Sequence, residues 1–285
     1  MPELPEVETI VRQLRPQLRG RTVTAARVHG ADLLLRSTPK AFCAAVAGRR
    51  IEELRRRGKY FVLDLDDGRV LVGHLRMTGR LYVDGAPDPR YTRACFDLDD
   101  GRRLLFTDVR KFGRLQLAAR LDDALPPMGP EPLSDEVDGA WMATALASRR
   151  RLLKPLLLDQ SFLAGLGNIY VDESLHRARL HPLRSSHRVP RERAFALTAA
   201  IREVLGAAIA AEGSSFDAFY RTPEGQPGGF QDEFAVYGRE GEPCRQCGAA
   251  IRRIVVGQRG THFCPRCQPA PRRRSSRTRR AGESL

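Results

Sequence analysis

No apolar run in this 285-residue chain reaches the roughly 20 residues that cross a bilayer, and no charged-then-apolar secretion signal opens it. A helical membrane protein is excluded on that count. The expected place is the cytoplasm, with no membrane partner. Acidic side chains are also short: 34 Asp and Glu stand against 48 Lys and Arg, a formal net charge of +14. Residues 269–285 carry +5 of it and the body the remaining +9, so the excess is not a tail effect. A phosphate-rich partner is the natural implication. A generally basic soluble protein is the plainer alternative. The turn Gly165-Leu166-Gly167-Asn168 lacks a third glycine and a preceding strand, which excludes a dinucleotide fingerprint.

Cysteine is scarce too, but four of the six fall into pattern. Cys244-x-x-Cys247 and Cys264-x-x-Cys267, sixteen residues apart, have the spacing of a four-thiolate zinc site. Four thiolates close the coordination sphere, so the expected metal is one structural Zn2+. Disulfides or redox chemistry are the alternatives. Cys43 and Cys95 lack such spacing and are expected as small buried residues. His262 stands too near the second pair to replace a cysteine and reads as a non-ligand.

The amino terminus is the stretch with chemistry in it. Pro2 follows Met1, and a small second residue normally lets the methionine be removed. The exposed secondary amine would then be partly neutral at pH 7, because α-amino groups titrate near pKa 8. Leu4, Val7, Val11, Leu14 and Leu18 recur at helical spacing, with Pro5 allowed in the first turn. Glu3 and Glu6 then share a face beside the amine, and Glu8 points elsewhere. A nucleophilic amine flanked by carboxylates has the parts for imine chemistry with proton transfer. The bland alternative is three acids compensating a helix dipole.

Residues 21–120 read as strands and tight turns. Residues 61–71 and 95–105 echo each other, each a strand, an Asp-Asp-Gly-Arg turn and a strand. Serial hairpins predict an antiparallel sandwich. Arg55-Arg56-Arg57-Gly58-Lys59 is a basic loop in which Gly58 would let a ligand approach and Lys59 could reach a phosphate or a proton-transfer site. Met77 and Phe112 sit in turn-like places among arginines. With Arg110 they have the makeup of a wedge entering a base stack. The proline-rich stretch 125–132 is the clearest boundary. Helices are expected at 134–147 and 191–211, the second striped by Phe195, Thr198, Ile201, Val204, Leu205, Ala208 and Ile209 and ending at Gly213. Around Gly165 and Gly167 two helices join, and Asn168 opens the second, whose free N–H groups can hold an anion. Residues 213–230 are loop-like. The tail 269–285 is expected to be disordered and drawn nonspecifically to DNA.

Residues Pro2 to Glu8, the Gly-x-Gly-Asn turn and the cysteine pairs stand in one order over nearly the whole chain. In that order they resemble the formamidopyrimidine-DNA glycosylase family of bacterial base-excision repair, which includes the endonuclease VIII type. The resemblance implies an α+β multidomain fold. Residues 1–132 would form an antiparallel β-sandwich flanked by helices, 133–230 a helix–two-turn–helix domain and 231–268 a β-hairpin zinc finger. The tail 269–285 is longer than the family's usual ending.

By resemblance Pro2 is the nucleophile, Glu3 the acid/base for sugar opening, Glu6 a proton-transfer group, and Lys59 acts in catalysis and phosphate contact. Asn168 and Arg259 would grip phosphates; Met77, Arg110 and Phe112 would fill the gap left by the flipped base. His74, Lys154 and Tyr170 join them as DNA contacts, and the 213–230 loop would close over the damaged base. The implied enzyme is a monomeric glycosylase and AP lyase acting on duplex DNA with oxidised or abasic lesions. Met77, Arg110 and Phe112 favour oxidised purines over the oxidised pyrimidines of the endonuclease VIII type. A noncatalytic zinc-ribbon DNA-binding protein would explain the charge and cysteines but not Pro2, Glu3 and Lys59 together.

Overall fold

The computed structural model describes residues 2–85, 88–216 and 219–271, so most of the basic tail lies outside the described residues. Helix α1 (Leu4–Leu18) buries Leu4, Val7, Val11, Leu14 and Leu18, the stripe its sequence spacing predicts. The strands that follow are β1 (Val23–Val28), β2 (Ile51–Arg57), β3 (Tyr60–Leu65), β4 (Val70–His74), β5 (Gly79–Val83), β6 (Thr92–Leu98), β7 (Arg103–Asp108) and β8 (Arg114–Ala118), with α2 (Pro39–Val46) after β1 and α3 (Leu121–Ala124) after β8. They form two antiparallel four-stranded sheets, ordered β1-β6-β7-β5 and β2-β3-β4-β8. Phe61, Leu63 and Leu71 of one sheet meet Phe96, Leu104 and Phe106 of the other in one apolar core. The echoed hairpins lie in opposite sheets and use the same turn. Gly68 and Gly101 take φ of 81° and 83°, and Asp67 and Asp100 each accept the backbone N–H two residues on.

The second core is helical: α4 (Gly139–Ala147), α5 (Leu153–Leu158), α6 (Asn168–Arg177) and α7 (Arg191–Ala210). The helix expected from residue 134 starts at 139, because Asp138 caps it by accepting the Trp141 N–H at 2.7 Å. On α7 the expected stripe is buried except at its edges: Phe195 is exposed under the Arg191 guanidinium, and Ile209 is half-buried. Leu4 belongs to the helical core while Val7 and the rest of α1 belong to the sandwich core. One helix therefore ties both halves together, and its first turn lies at their junction. The Leu4 N–H donates to the Gly165 carbonyl at 3.1 Å.

The proline-rich stretch is not a slack tether. Glu131 accepts from Gly58 N (2.6 Å), Arg56 Nη1 (2.6 Å) and Arg57 Nη1 (2.8 Å), and Arg56 Nε also reaches Glu8. Strands β9 (Arg252–Val256) and β10 (Arg259–Phe263) make the C-terminal hairpin. Its turn is Gly257-Gln258, both at positive φ, and Arg259 follows as the first residue of β10. Two adjacent acids of α6 fasten the hairpin and the segment that leads into the finger. Asp172 accepts the His262 N–H (2.9 Å), and Glu173 accepts three backbone N–H groups of residues 235–237. Cys95 is buried as expected; Cys43 is only half-buried.

Candidate active site and DNA interface

Pro2 is buried just before α1, and the carboxylates beside it are among the most enclosed in the chain: Glu3 is 3% exposed and Glu6 2%. The Glu3 N–H donates to Glu6 Oε2 at 2.8 Å. Glu6 Oε1 accepts from Tyr170 Oη at 2.5 Å and from Ser214 N at 2.8 Å. Glu3 Oε1 accepts the Ile169 N–H at 3.2 Å. Glycines make the room. A Cβ on Gly167 would lie 2.2 Å from the Glu3 carboxyl carbon, one on Gly165 2.6 Å from Leu4, and one on Gly213 2.9 Å from Glu6.

This corrects two expectations. The anion expected at the Gly-x-Gly-Asn turn comes from the protein's own first turn. The N-terminus of α6 already holds an anion, the Glu3 carboxylate. Gly58 likewise makes room for the Met128 methyl group, 2.4 Å from its built Cβ.

The electrostatics follow from this burial. Glu6 is raised from 4.5 to about 7, first by burial and then by the Glu3 charge, against the donors from Tyr170, Glu3 and Ser214. It can therefore exchange a proton near neutral pH. Lys59, on the two-residue turn between β2 and β3, is buried; burial lowers its pKa, while Glu3 and Glu6 raise it. The Arg259 charge lowers it further, so the finger's arginine is felt at the site. His74 is brought down to about 3, mainly by burial, and its Nδ1 accepts the Arg76 N–H at 2.9 Å. It is a neutral acceptor, not a cation for phosphate.

Met77, Arg110 and Phe112, distant in sequence, come together. Arg110 Nη1 is 3.5 Å from the Met77 sulfur, and its guanidinium carbon is 4.8 Å from the Phe112 ring centroid. Met77 and Phe112 remain 38% and 44% exposed. Each follows a residue with left-handed backbone, Arg76 at φ 56° and Lys111 at φ 58°, which turns the chain outward. Asp108 holds both loops: it accepts from the Thr78 hydroxyl, from Arg110 N (3.1 Å) and from Gly113 N (2.7 Å). Sequence reading passed over Asp108, whose only signal was an acid at the end of an apolar strand.

Asn168 Nδ2 donates to the Gly260 carbonyl at 3.0 Å, joining α6 to β10, while its Oδ1 is buried and unpartnered. Arg259 is exposed on that hairpin. Two expected DNA contacts are placed differently. Lys154 is fully buried, with its ammonium 2.5 Å from Asp172, and Tyr170 is fully buried with its hydroxyl on Glu6. Neither side chain opens to solvent; each is held by a buried carboxylate, Asp172 and Glu6. The 213–230 segment starts on Glu6 through Ser214, and Tyr220 plugs into the sandwich core. Residues 217–218 lie outside the described ones.

The four paired cysteines place their sulfurs within 4.8 Å of one another, with Cys244 and Cys267 3.9 Å apart and Cys247 and Cys264 3.4 Å apart. Zn–S bonds of about 2.3 Å in a tetrahedron put sulfurs roughly 3.8 Å apart, so the donor set fits one structural zinc. His262 lies outside that set. Gln268 closes the second loop, accepting Cys264 N and donating to the Leu180 carbonyl, both at 2.9 Å.

Family domains match in three successive stretches. Residues 1–115 match the formamidopyrimidine-DNA glycosylase N-terminal domain, 128–219 the formamidopyrimidine-DNA glycosylase H2TH domain, and 241–270 the zinc finger found in FPG and IleRS. The formamidopyrimidine-DNA glycosylase of Heliobacterium modesticaldum is 48% identical, over 94% of this chain and 100% of that protein. The Lactococcus lactis Fpg (MutM) in complex with DNA containing Fapy-dG superposes with a TM-score of 0.85 at 35% identity, over 94% and 100% of the two chains. Its complex with DNA containing an abasic site gives 0.86 at 35% identity and the same coverage. Sandwich, helical core, zinc finger and enclosed amino terminus together define the zinc-finger DNA glycosylases. The chain belongs to the formamidopyrimidine-DNA glycosylase family.

Proposed function

We propose that this chain excises oxidised purines, 8-oxoguanine and formamidopyrimidines, from duplex DNA and then cuts the strand as an AP lyase. The observation that carries this reading is the enclosed Pro2, Glu3 and Glu6 constellation, with Lys59 beside it. With Met1 removed, the Pro2 amine attacks the sugar C1′ of an everted nucleotide and the base leaves. Glu3 takes up the proton released as the Pro2 amine bonds to C1′ and passes it to the sugar ring oxygen as the C1′–O4′ bond breaks, which opens the ring. Glu6, poised near 7, moves the proton between amine and solvent. The iminium acidifies the neighbouring C2′–H bond. β- and then δ-elimination release both flanking phosphates and leave a one-nucleotide gap.

Met77, Arg110 and Phe112 enter the space left by the everted nucleotide, and their meeting at one exposed point supports a purine-lesion enzyme over the endonuclease VIII type. The Fapy-dG and abasic DNA in the Lactococcus complexes support the same substrates here. In this reading residues 1–132 supply the chemistry, 133–230 and 231–268 hold the duplex through Asn168 and Arg259, and the enzyme works on DNA in the cytoplasm. Zinc holds the finger and takes no part in the reaction.

Borohydride trapping on a duplex with a single 8-oxoguanine tests it. The expected result is a covalent adduct that peptide mapping places on Pro2, lost when residues are added before Met1. An adduct on Lys59 would overturn the nucleophile, and no adduct on any lesion would overturn the lyase.

A further inference from the structure

We propose a second binding site on this chain, for a diphosphate-bearing small molecule of the nucleoside diphosphate class. A cavity of about 320 Å³ opens where the segment after α6, the N-terminus of α7 and the second cysteine pair meet. Arg179, Arg184, Arg193 and Arg266 line it, with Leu180 at its apolar wall and Glu192 as its one carboxylate. It is separate from the candidate active site. Helix α6 starts at Asn168 beside Glu3, and the cavity lies past its other end, ten residues and about 15 Å along the axis.

Many arginines in this chain pair with acids, among them Arg27 with Asp97, Arg55 with Asp64 and Arg102 with Asp100. Among the described residues the four lining arginines have no carboxylate at ion-pair distance; Arg179, Arg193 and Arg266 are exposed, Arg184 Nη1 and Arg266 Nη1 donate to the Arg188 (3.3 Å) and Cys247 (3.5 Å) carbonyls, and the Arg184 Nε is buried without a partner. The N-terminus of the 20-residue α7 sets a positive helix end on the same side. Cys267 also lines the cavity, and a zinc tetrathiolate carries two net negative charges. Even with those and Glu192 counted, the lining stays positive.

The chemistry selects the ligand. Guanidinium forks pair two donors with two phosphate oxygens, and four forks offer more donors than one phosphate monoester can take. Duplex backbone is convex and presents phosphates on a ridge, whereas this lining is concave with an apolar wall suited to a ribose or base.

Calorimetric titration of the zinc-loaded full chain with pyrophosphate, ADP and orthophosphate tests the site, with zinc content measured before and after. Pyrophosphate and ADP should each bind once and saturably, and orthophosphate roughly tenfold more weakly. Replacing Arg184→Gln together with Arg193→Gln should weaken pyrophosphate at least about tenfold, and Glu192→Gln should strengthen it. Arg120→Gln with Arg150→Gln, exposed arginines elsewhere, should change neither. Absence of saturation at millimolar pyrophosphate overturns the proposal. So does an equal loss in both arginine pairs, which would mean bulk charge. Lesion-free duplex that displaces pyrophosphate and loses affinity equally in the Arg184 and Arg193 variant would make the cavity a DNA contact instead.

Discussion

Glu6→Gln should remove a pH-dependent instability that wild type carries. Inside the fold, burial and the Glu3 charge hold the Glu6 carboxyl at about 7, against 4.5 when free. A raised folded-state value means that the stabilising share is fully present below 4.5 and is lost as pH rises through 7. Each unit is worth about 1.4 kcal/mol, so ionising Glu6 in place costs about 3 kcal/mol. Glutamine cannot ionise. Its amide also faces donors from Glu3 N and Ser214 N, but that offset does not depend on pH. His74, held neutral mostly by burial, weakens the fold as pH falls; it is common to both proteins and cancels in the difference. The assay is urea unfolding between pH 5 and 8, followed by the single tryptophan, Trp141, which packs 5.7 Å from the Phe162 ring in the helical core. The unfolding free energy of Glu6→Gln minus that of wild type should climb by about 2.5 kcal/mol across that range. A difference flat to within roughly 0.5 kcal/mol would show that Glu6 is ionised throughout, its three donors outweighing burial and Glu3.

Gly167→Ala should push Glu3 out of place and lower base excision about 100-fold, since misplacing a reacting group by an ångström costs that much; Gly206→Ala, which meets open space, should leave single-turnover rates unchanged. Cys247→Ser should lose the metal and the finger's grip on duplex, because the small cluster of Val236, Ile251 and the cysteines cannot hold the hairpin alone; metal analysis and a binding titration check it. Phe112→Ala should slow excision from duplex roughly tenfold through the loss of about 1–3 kcal/mol of stacking, and an unchanged single-turnover rate would remove Phe112 from the wedge.

The features legible in the sequence are those set by short-range spacing or by covalent and metal geometry. The burial of Leu4, Val7, Val11, Leu14 and Leu18 follows from helical periodicity alone. The two Asp-Asp-Gly-Arg turns announce their hairpins because Gly68 and Gly101 must reach positive φ. The four sulfurs converge because paired thiolates at that spacing suit one ion. Tertiary packing alone decided the rest. It made Gly165 and Gly167, read as a turn between helices, and Gly213, read as a helix end, into gaps for Leu4, Glu3 and Glu6, since the space at a glycine depends on what a distant segment places there. It also buried Lys154 and Tyr170, offered as DNA contacts by the family resemblance, against Asp172 and Glu6. It gave Asp108, Asp172 and Glu173 their work as well, because a buried carboxylate must find donors, and here those donors come from loops and hairpins far away in the chain.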